Sequence, residues 1–153
     1  METKKIVLVG DANVGKTSFV KRLEGLPIPA NRNATLGVEV DPIRRIFENE
    51  TKCFNIWDCA GEERYSGLGD GYYIQSDGAI IMAECNNSTS ITNIESWRTK
   101  LRRIIGDKPI VVVLNKCDFL SFEQLSSLQQ SLPNVIFISC VTNMNIEEVL
   151  KRF

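Results

Sequence analysis

In the stretch IVLVGDANVGKTSFV, Gly10 and Gly15 are separated by four residues, and Lys16 and Thr17 follow at once. Glycines permit a tight turn, and successive backbone N–H groups from Asn13 through Val14, Gly15, Lys16, Thr17 and Ser18 can then converge on phosphate oxygens at a helix start. Lys16 adds a point charge suited to β- and γ-phosphates, and the Thr17 hydroxyl can ligate Mg²⁺. Set between a strand and a helix, this is the Walker A pattern. A second group of residues lies in WDCAGEERY. Asp58, at the end of an alternating run, is placed as a second metal-shell carboxylate, and Gly61 lacks a Cβ that would keep its N–H from a terminal phosphate. Glu62 and Glu63 follow directly, an odd choice beside an anionic ligand.

The third group is VVVLNKCDF, where Asn115, Lys116 and Asp118 come just after an apolar run. A carboxylate there can accept two hydrogen bonds from a guanine edge, from N1–H and the N2 amine. Adenine offers neither donor in that arrangement, so Asp118 would discriminate by being left unpaired against the wrong base. FISCVTN supplies Ser139 and the Cys140 N–H, a donor for guanine O6.

These residues need a scaffold that brings three distant segments to one edge. Near-continuous apolar runs at KKIVLV (4–9), GAIIMAE (78–84), PIVVVLN (109–115) and NVIFIS (134–139) read as strands buried on both faces. Helical spacing fills 16–25, 90–105 and 121–132. In the second, Ile91, Ile94, Trp97, Leu101, Ile104 and Ile105 share a face, leaving Lys100, Arg102 and Arg103 largely solvated. GVEVDPIRRIF and TKCFNIWD alternate around a polar turn, ENET, and read as a β-hairpin. The expected fold is α/β: a three-layer sandwich whose six-stranded, mostly parallel sheet carries one antiparallel strand. In such sheets ligands sit at the carboxyl ends of the strands, where all three motifs fall.

Size and composition agree and exclude several alternatives. The 153 residues suit one domain, 1–153, with 43% hydrophobic and 24% charged residues. The net charge of −1 leaves no electrostatic footprint for nucleic acid. There is no histidine and no CxxC pair, so the usual zinc sites and histidine general-base catalysis are out. Five irregularly spaced cysteines, with no leader at METKKIVLVG, read as reduced, small buried hydrophobes, and set an expectation of the cytoplasm, with the nucleus open.

Taken together, GDANVGKT, Thr35 in ATLGVEV, WDCAG, NKCD and ISC resemble Ras-like small GTPases in order and spacing, over nearly the whole chain. ATLGVEV and DGYYIQSDGAIIM look like the Ran branch, GEERY like the Rab branch. The resemblance implies a monomeric P-loop GTPase that binds GTP or GDP with Mg²⁺. Thr35 would join the metal shell and the Gly61 N–H would touch the γ-phosphate. Residues 26–40 and 59–75 would be the two switches, and effectors or regulators would dock through 26–45 and 59–75. The chain departs from that family at four places. Glu62 stands where a water-orienting Gln belongs, Ile28 replaces an aromatic that covers the base, and Val141 replaces a Lys beside it. The chain also lacks a prenylation cysteine, so no lipid anchor is expected from it.

Glu62 in its ionised form accepts hydrogen bonds but donates none. Two like charges 4 Å apart cost about 4 kcal/mol at an effective dielectric of 20, so Glu62 would swing away from the γ-phosphate. Losing one transition-state donor costs on the order of 100- to 1000-fold in rate, and slow hydrolysis is the expectation. Arg32, three residues before Thr35, reads either as an exposed loop residue or as an arginine finger acting in cis. The rival reading is a pseudo-GTPase that holds nucleotide and occupies a relative's effectors. An ATP-using kinase is disfavoured by Asp118.

Overall fold

The computed structural model describes residues 2–26, 38–59 and 69–153. Strand β1 (Glu2–Val9) runs into the glycine-rich loop and helix α1 (Lys16–Leu23). β2 (Val38–Phe47) and β3 (Glu50–Cys59) pair antiparallel across a two-residue turn. Glu48 and Asn49 form that turn at φ +49° and +68°, the left-handed pair that matches strand twist in tight hairpins. Then come α2 (Gly69–Tyr73), β4 (Gly78–Glu84), α3 (Ser88–Thr92), α4 (Ile94–Ile105) and β5 (Ile110–Asn115). A 3₁₀ turn (Cys117–Phe119), α5 (Phe122–Ser131), β6 (Ile136–Phe137) and α6 (Ile146–Leu150) complete the order.

The six strands lie in the order β2-β3-β1-β4-β5-β6, with only β2–β3 antiparallel. Alternation along each central strand builds two cores, one per face. Ile6 and Leu8 of β1, with Ile80 and Met82 of β4, pack under α1 and α6. Val7, Val9, Ile81 and Ala83 point the other way, onto Tyr73, Ile94, Trp97 and Leu101. Two buried faces explain why these strands read as unbroken apolar runs. The expected three-layer architecture is present. Pro42 is accommodated because β2 is an edge strand.

Two expectations on element boundaries are corrected. The helix expected over 90–105 is divided at Asn93, which ends α3 and begins α4. The strand expected over 134–139 is regular only at Ile136–Phe137, because the backbone of Ser139 pairs with Met144 instead of continuing alongside β5. Lys100 is half-buried, its ammonium 5.3 Å from the Tyr73 ring, whereas Arg102 and Arg103 are exposed as read from sequence. Among the described residues, no helix is long and apolar enough to cross a membrane.

Helix α5 is held by a cap at its start and by Leu125 and Leu128, which pack part-buried against the core. None of its residues is fully buried, and a reciprocal cap joins the Ser121 side chain to Gln124 N–H and the Gln124 side chain to Ser121 N–H. Replacing Ser121 by Ala is expected to ease local opening of 122–131 by about 1 kcal/mol. Amide hydrogen exchange would show this as faster exchange in α5, accompanied by a loss of global stability of about the same size.

Candidate functional site

The chain leaves β1 at Gly10 with φ +149°, and a Cβ there would lie 2.1 Å from the carbonyl oxygen of Met82. At Gly15, φ is +103° and a Cβ would lie 2.1 Å from Asn115 Nδ2. The two glycines are therefore required by neighbouring strands as well as by the turn. Between them Val14 is buried in the core and anchors the loop from below. Lys16 folds back over the loop, its Nζ donating to the carbonyls of Gly10 and Asp11 at 3.0 Å each.

One helical position on, the Thr17 hydroxyl donates to Asp58 Oδ2 at 2.7 Å, joining α1 to the end of β3. Asp58 is 1% exposed, and its Oδ1 has no hydrogen-bond partner among the described residues. Burial pushes its carboxyl above the usual range, opposed by the Thr17 hydrogen bond and by Lys16. A buried carboxylate oxygen without a donor is costly unless a ligand or cation satisfies it. A hydroxyl that has given its proton to a carboxylate keeps its lone pairs for a metal. The pair thus fits Mg²⁺, which takes few protein ligands and completes its shell with phosphate oxygens and water. Among the described residues, no group of three or more His, Cys, Asp or Glu side chains could hold a metal.

The base-reading side is built around Asn115, which is 2% exposed. Its Nδ2 donates to Val14 O at 3.0 Å, and its Oδ1 accepts from Cys140 N–H at 3.4 Å. The side chain expected to help read a base is also a strut between the phosphate loop, β5 and the loop after β6. Lys116, in the left-handed region at φ +67°, makes an ion pair with Glu84 at 3.0 Å, and its Nζ is 3.4 Å from Asn13 O. Asp118 sits in the 3₁₀ turn, and its Oδ1 accepts from the Ser139 hydroxyl at 2.8 Å. The Ser139 oxygen in turn accepts from Thr142 N–H at 3.1 Å. Each carboxylate oxygen has two lone pairs, so an oriented Asp118 can still receive two donors from a base.

Gly15, Ser18, Asn115, Lys116, Asp118, Cys140 and Val141 line one small cleft. The phosphate loop, the Asn115–Asp118 segment and the Cys140–Val141 loop, far apart in sequence, meet there, while Asp58 is joined to the site through Thr17. The Cys140 N–H, expected as a donor to a base, is engaged by Asn115 Oδ1 through a long bond. Arg32, Thr35, Gly61 and Glu62 lie outside the described residues, as do Ile28 and most of the two expected switches.

Two contributors went unread in the sequence. Asp11 accepts from Asn93 Nδ2 at 2.6 Å and from Trp97 Nε1 at 3.2 Å, tying the phosphate loop to the α3–α4 junction. Arg22, on α1, donates to the Cys140 and Val141 carbonyls and so braces the loop that borders the cleft. A polar Asp inside a glycine loop and a buried-side Trp were the only signals for the first. Nothing local signals the second.

A family model described as the Ras of Complex, Roc, domain of DAPkinase matches residues 5–118. The chain belongs to this family. The match spans the phosphate loop, the Asp58 segment and the Asn115–Asp118 motif, and it identifies a GTPase-like nucleotide-binding domain related to Ras. It supports the Ras-like part of the sequence reading; likeness to the Ran and Rab branches is not part of what it shows.

Because Asn115 is a strut, its loss should be felt without any ligand. Asn115→Ala leaves Val14 O and Cys140 N–H without their partner and is expected to cost about 2–4 kcal/mol of stability. Asp118→Ala, which removes only the Ser139 bond, should cost about 1 kcal/mol. Urea unfolding of nucleotide-free protein measures both.

Proposed function

We propose that the chain is a guanine-nucleotide switch that binds GTP and GDP with Mg²⁺ and hydrolyses GTP slowly. The observation that carries the reading is the single cleft in which Asp118, oriented by Ser139, stands beside the phosphate loop, with Asn115 as the strut between them. In this arrangement the loop amides receive the phosphates, Lys16 neutralises part of their charge, and Asp118 selects the purine. Thr17 and Asp58, with Thr35 by family likeness, would hold Mg²⁺, which offsets negative charge on the β- and γ-phosphates.

Val141 is 58% exposed at the rim of the cleft, so the side chain replacing the usual Lys gives the base little cover. Nucleotide exchange is accordingly fast for this class. Glu62, taken as standing where the water-orienting Gln belongs, supplies no donor to the transferring phosphoryl group and repels it. Gly61 would offer its N–H to that group, and Arg32, acting as a finger in cis, would oppose the loss. Effectors and regulators would read 26–45 and 59–75 of a monomer. The Ran-like and Rab-like segments set these surfaces. Glu62 also favours a second reading, a non-catalytic chain that retains GTP and occupies effectors.

Chromatography of the nucleotide retained by the purified protein is expected to yield guanosine phosphates, with release accelerated by chelation of Mg²⁺. Asp118→Ala should weaken GDP binding about 100-fold, the loss of two charge-assisted hydrogen bonds, while leaving adenosine nucleotides as weakly bound as before. Equal binding of adenosine and guanosine phosphates by the unaltered chain would refute the reading.

Single-turnover hydrolysis separates the two forms of the proposal. Glu62→Gln is expected to raise the rate by on the order of 100-fold, by restoring a donor. A rate that is unchanged or lower in the variant, together with no phosphate release from the parent chain over hours, would leave the pseudo-GTPase.

A further inference from the structure

Directly behind the base-reading turn two free thiols touch. Cys85 Sγ lies 3.0 Å from Cys117 Sγ, and Cys117 Sγ also approaches Leu114 O at 3.3 Å. Cys117 stands between Lys116 and Asp118. Cys85 follows Glu84, the ion-pair partner of Lys116, and its N–H donates to Asn115 O at 3.0 Å. Each cysteine therefore neighbours a residue that shapes the cleft. We propose that Cys85 and Cys117 are an oxidisable pair that a small peroxide closes to a disulfide, and that closure displaces Asp118 and loosens the hold on guanine.

The two sulfurs have different tasks. Cys85 is 9% exposed and Cys117 4% exposed, so Cys85 is the one that a molecule as small as hydrogen peroxide meets first. The Cys117 thiol hydrogen-bonds to Cys85 and lowers its pKa, whereas that same bond and burial raise the pKa of Cys117. Cys85 is the nucleophile and Cys117 the resolving thiol. The Cys85 thiolate attacks one peroxide oxygen and the O–O bond breaks. The departing hydroxide takes up the proton released by Cys85 and leaves as water, so Cys85 becomes a sulfenic acid. Cys117 sulfur then attacks Cys85 Sγ and displaces hydroxide, which takes the Cys117 proton. Two thiols and one peroxide become one disulfide and two waters; the sulfurs lose two electrons and the peroxide oxygens gain them.

A disulfide needs a sulfur separation of about 2.0 Å, so closure draws the pair together by about 1 Å and removes the thiol proton that Cys117 shares with Leu114 O. The Cys117 N–H bond to Ile138 O and the Leu120 N–H bond to Cys117 O keep the turn short, so the movement passes into Lys116 and Asp118. Binding groups must be held within about 0.5 Å of their working positions, so passing half of the closing movement into Asp118 reaches that tolerance.

The test uses the full chain, reduced, loaded with GDP and Mg²⁺, and then treated with hydrogen peroxide. Peptide mapping is expected to show a Cys85–Cys117 cross-link lighter by two hydrogens, with amide exchange altered at 116–120. GDP release should quicken about 10-fold, the weakening of one charge-assisted hydrogen bond, and dithiothreitol should reverse it. Cys85→Ala should release GDP like the parent chain before peroxide and remain unchanged after it. Cross-links to other cysteines, oxygen adducts without a cross-link, or a Cys85–Cys117 cross-link with unaltered amide exchange would each overturn the proposal. So would that cross-link in a GDP-loaded chain that releases its nucleotide at the original rate. The release measurement rests on the guanine-switch reading. A reduced chain that retains no guanosine nucleotide would defeat that reading, while cross-linking and amide exchange would still decide this one.

Discussion

The side chain of Asn115 is the constraint on which the site depends. It occupies the space where a Cβ on Gly15 would fall, donates to Val14 O and accepts from Cys140 N–H. One buried amide thereby sets the distance between the phosphate loop and the base-reading loop. Those loops follow different strands, β1 and β5, which are not neighbours in the sheet: β4 lies between them. A rigid ligand that spans both loops requires that distance to be preset, since order imposed only on binding would subtract from affinity. Gly15 and Asn115 are thus one feature in two places. Lengthening one side chain or shortening the other would damage the same joint.

The other braces extend this principle. Asp11 secures the phosphate loop to Asn93 and Trp97, Arg22 secures the Cys140–Val141 loop to α1, and Glu84 secures Lys116 to the end of β4. Each uses a charged group against a neutral or opposite partner in a half-buried setting, where such bonds are stronger than on open surface. The cleft therefore has a framework of polar contacts above a conventional two-sided apolar core. The core accounts for the fold. The polar framework accounts for the alignment of the motifs.

That division also explains what could be read from the chain. The parallel strands, the hairpin and the helical faces of α1, α4 and α5 follow from periodicity and short-range patterning, and all are present. Gly10, Gly15, Lys16, Thr17, Asp58, Asn115 and Asp118 were legible because their types and spacing answer to phosphate, metal and base. The braces were not legible, because Asp11 meets Trp97 across 86 residues and Arg22 meets Cys140 across 118. No local pattern encodes such pairings. The division of the helix at Asn93 belongs to the same class, since that residue's side chain is committed to Asp11. The shortened β6 reflects Ser139, whose backbone pairs with Met144 while its hydroxyl orients Asp118. Burial of all five cysteines follows from their being small and apolar, but the contact between two of them does not.

The two ends of the cleft store different things. At the base end nearly every polar group of the framework is partnered, so geometry is preset and specificity comes from which ligand fits it. At the phosphate end Asp58 Oδ1 is buried and without a hydrogen-bond partner among the described residues, and burial raises its pKa. An unsatisfied buried carboxylate oxygen costs at least about 1–3 kcal/mol. The fold holds that cost at one atom beside Thr17, where a cation bound together with a polyphosphate would remove it. Ligand binding and stability are then coupled through the metal end and only weakly through the base end. In the proposed switch, whose two states differ in the phosphate chain and share the base, the constant part of the ligand would meet the rigid end and the changing part the end that has something to gain.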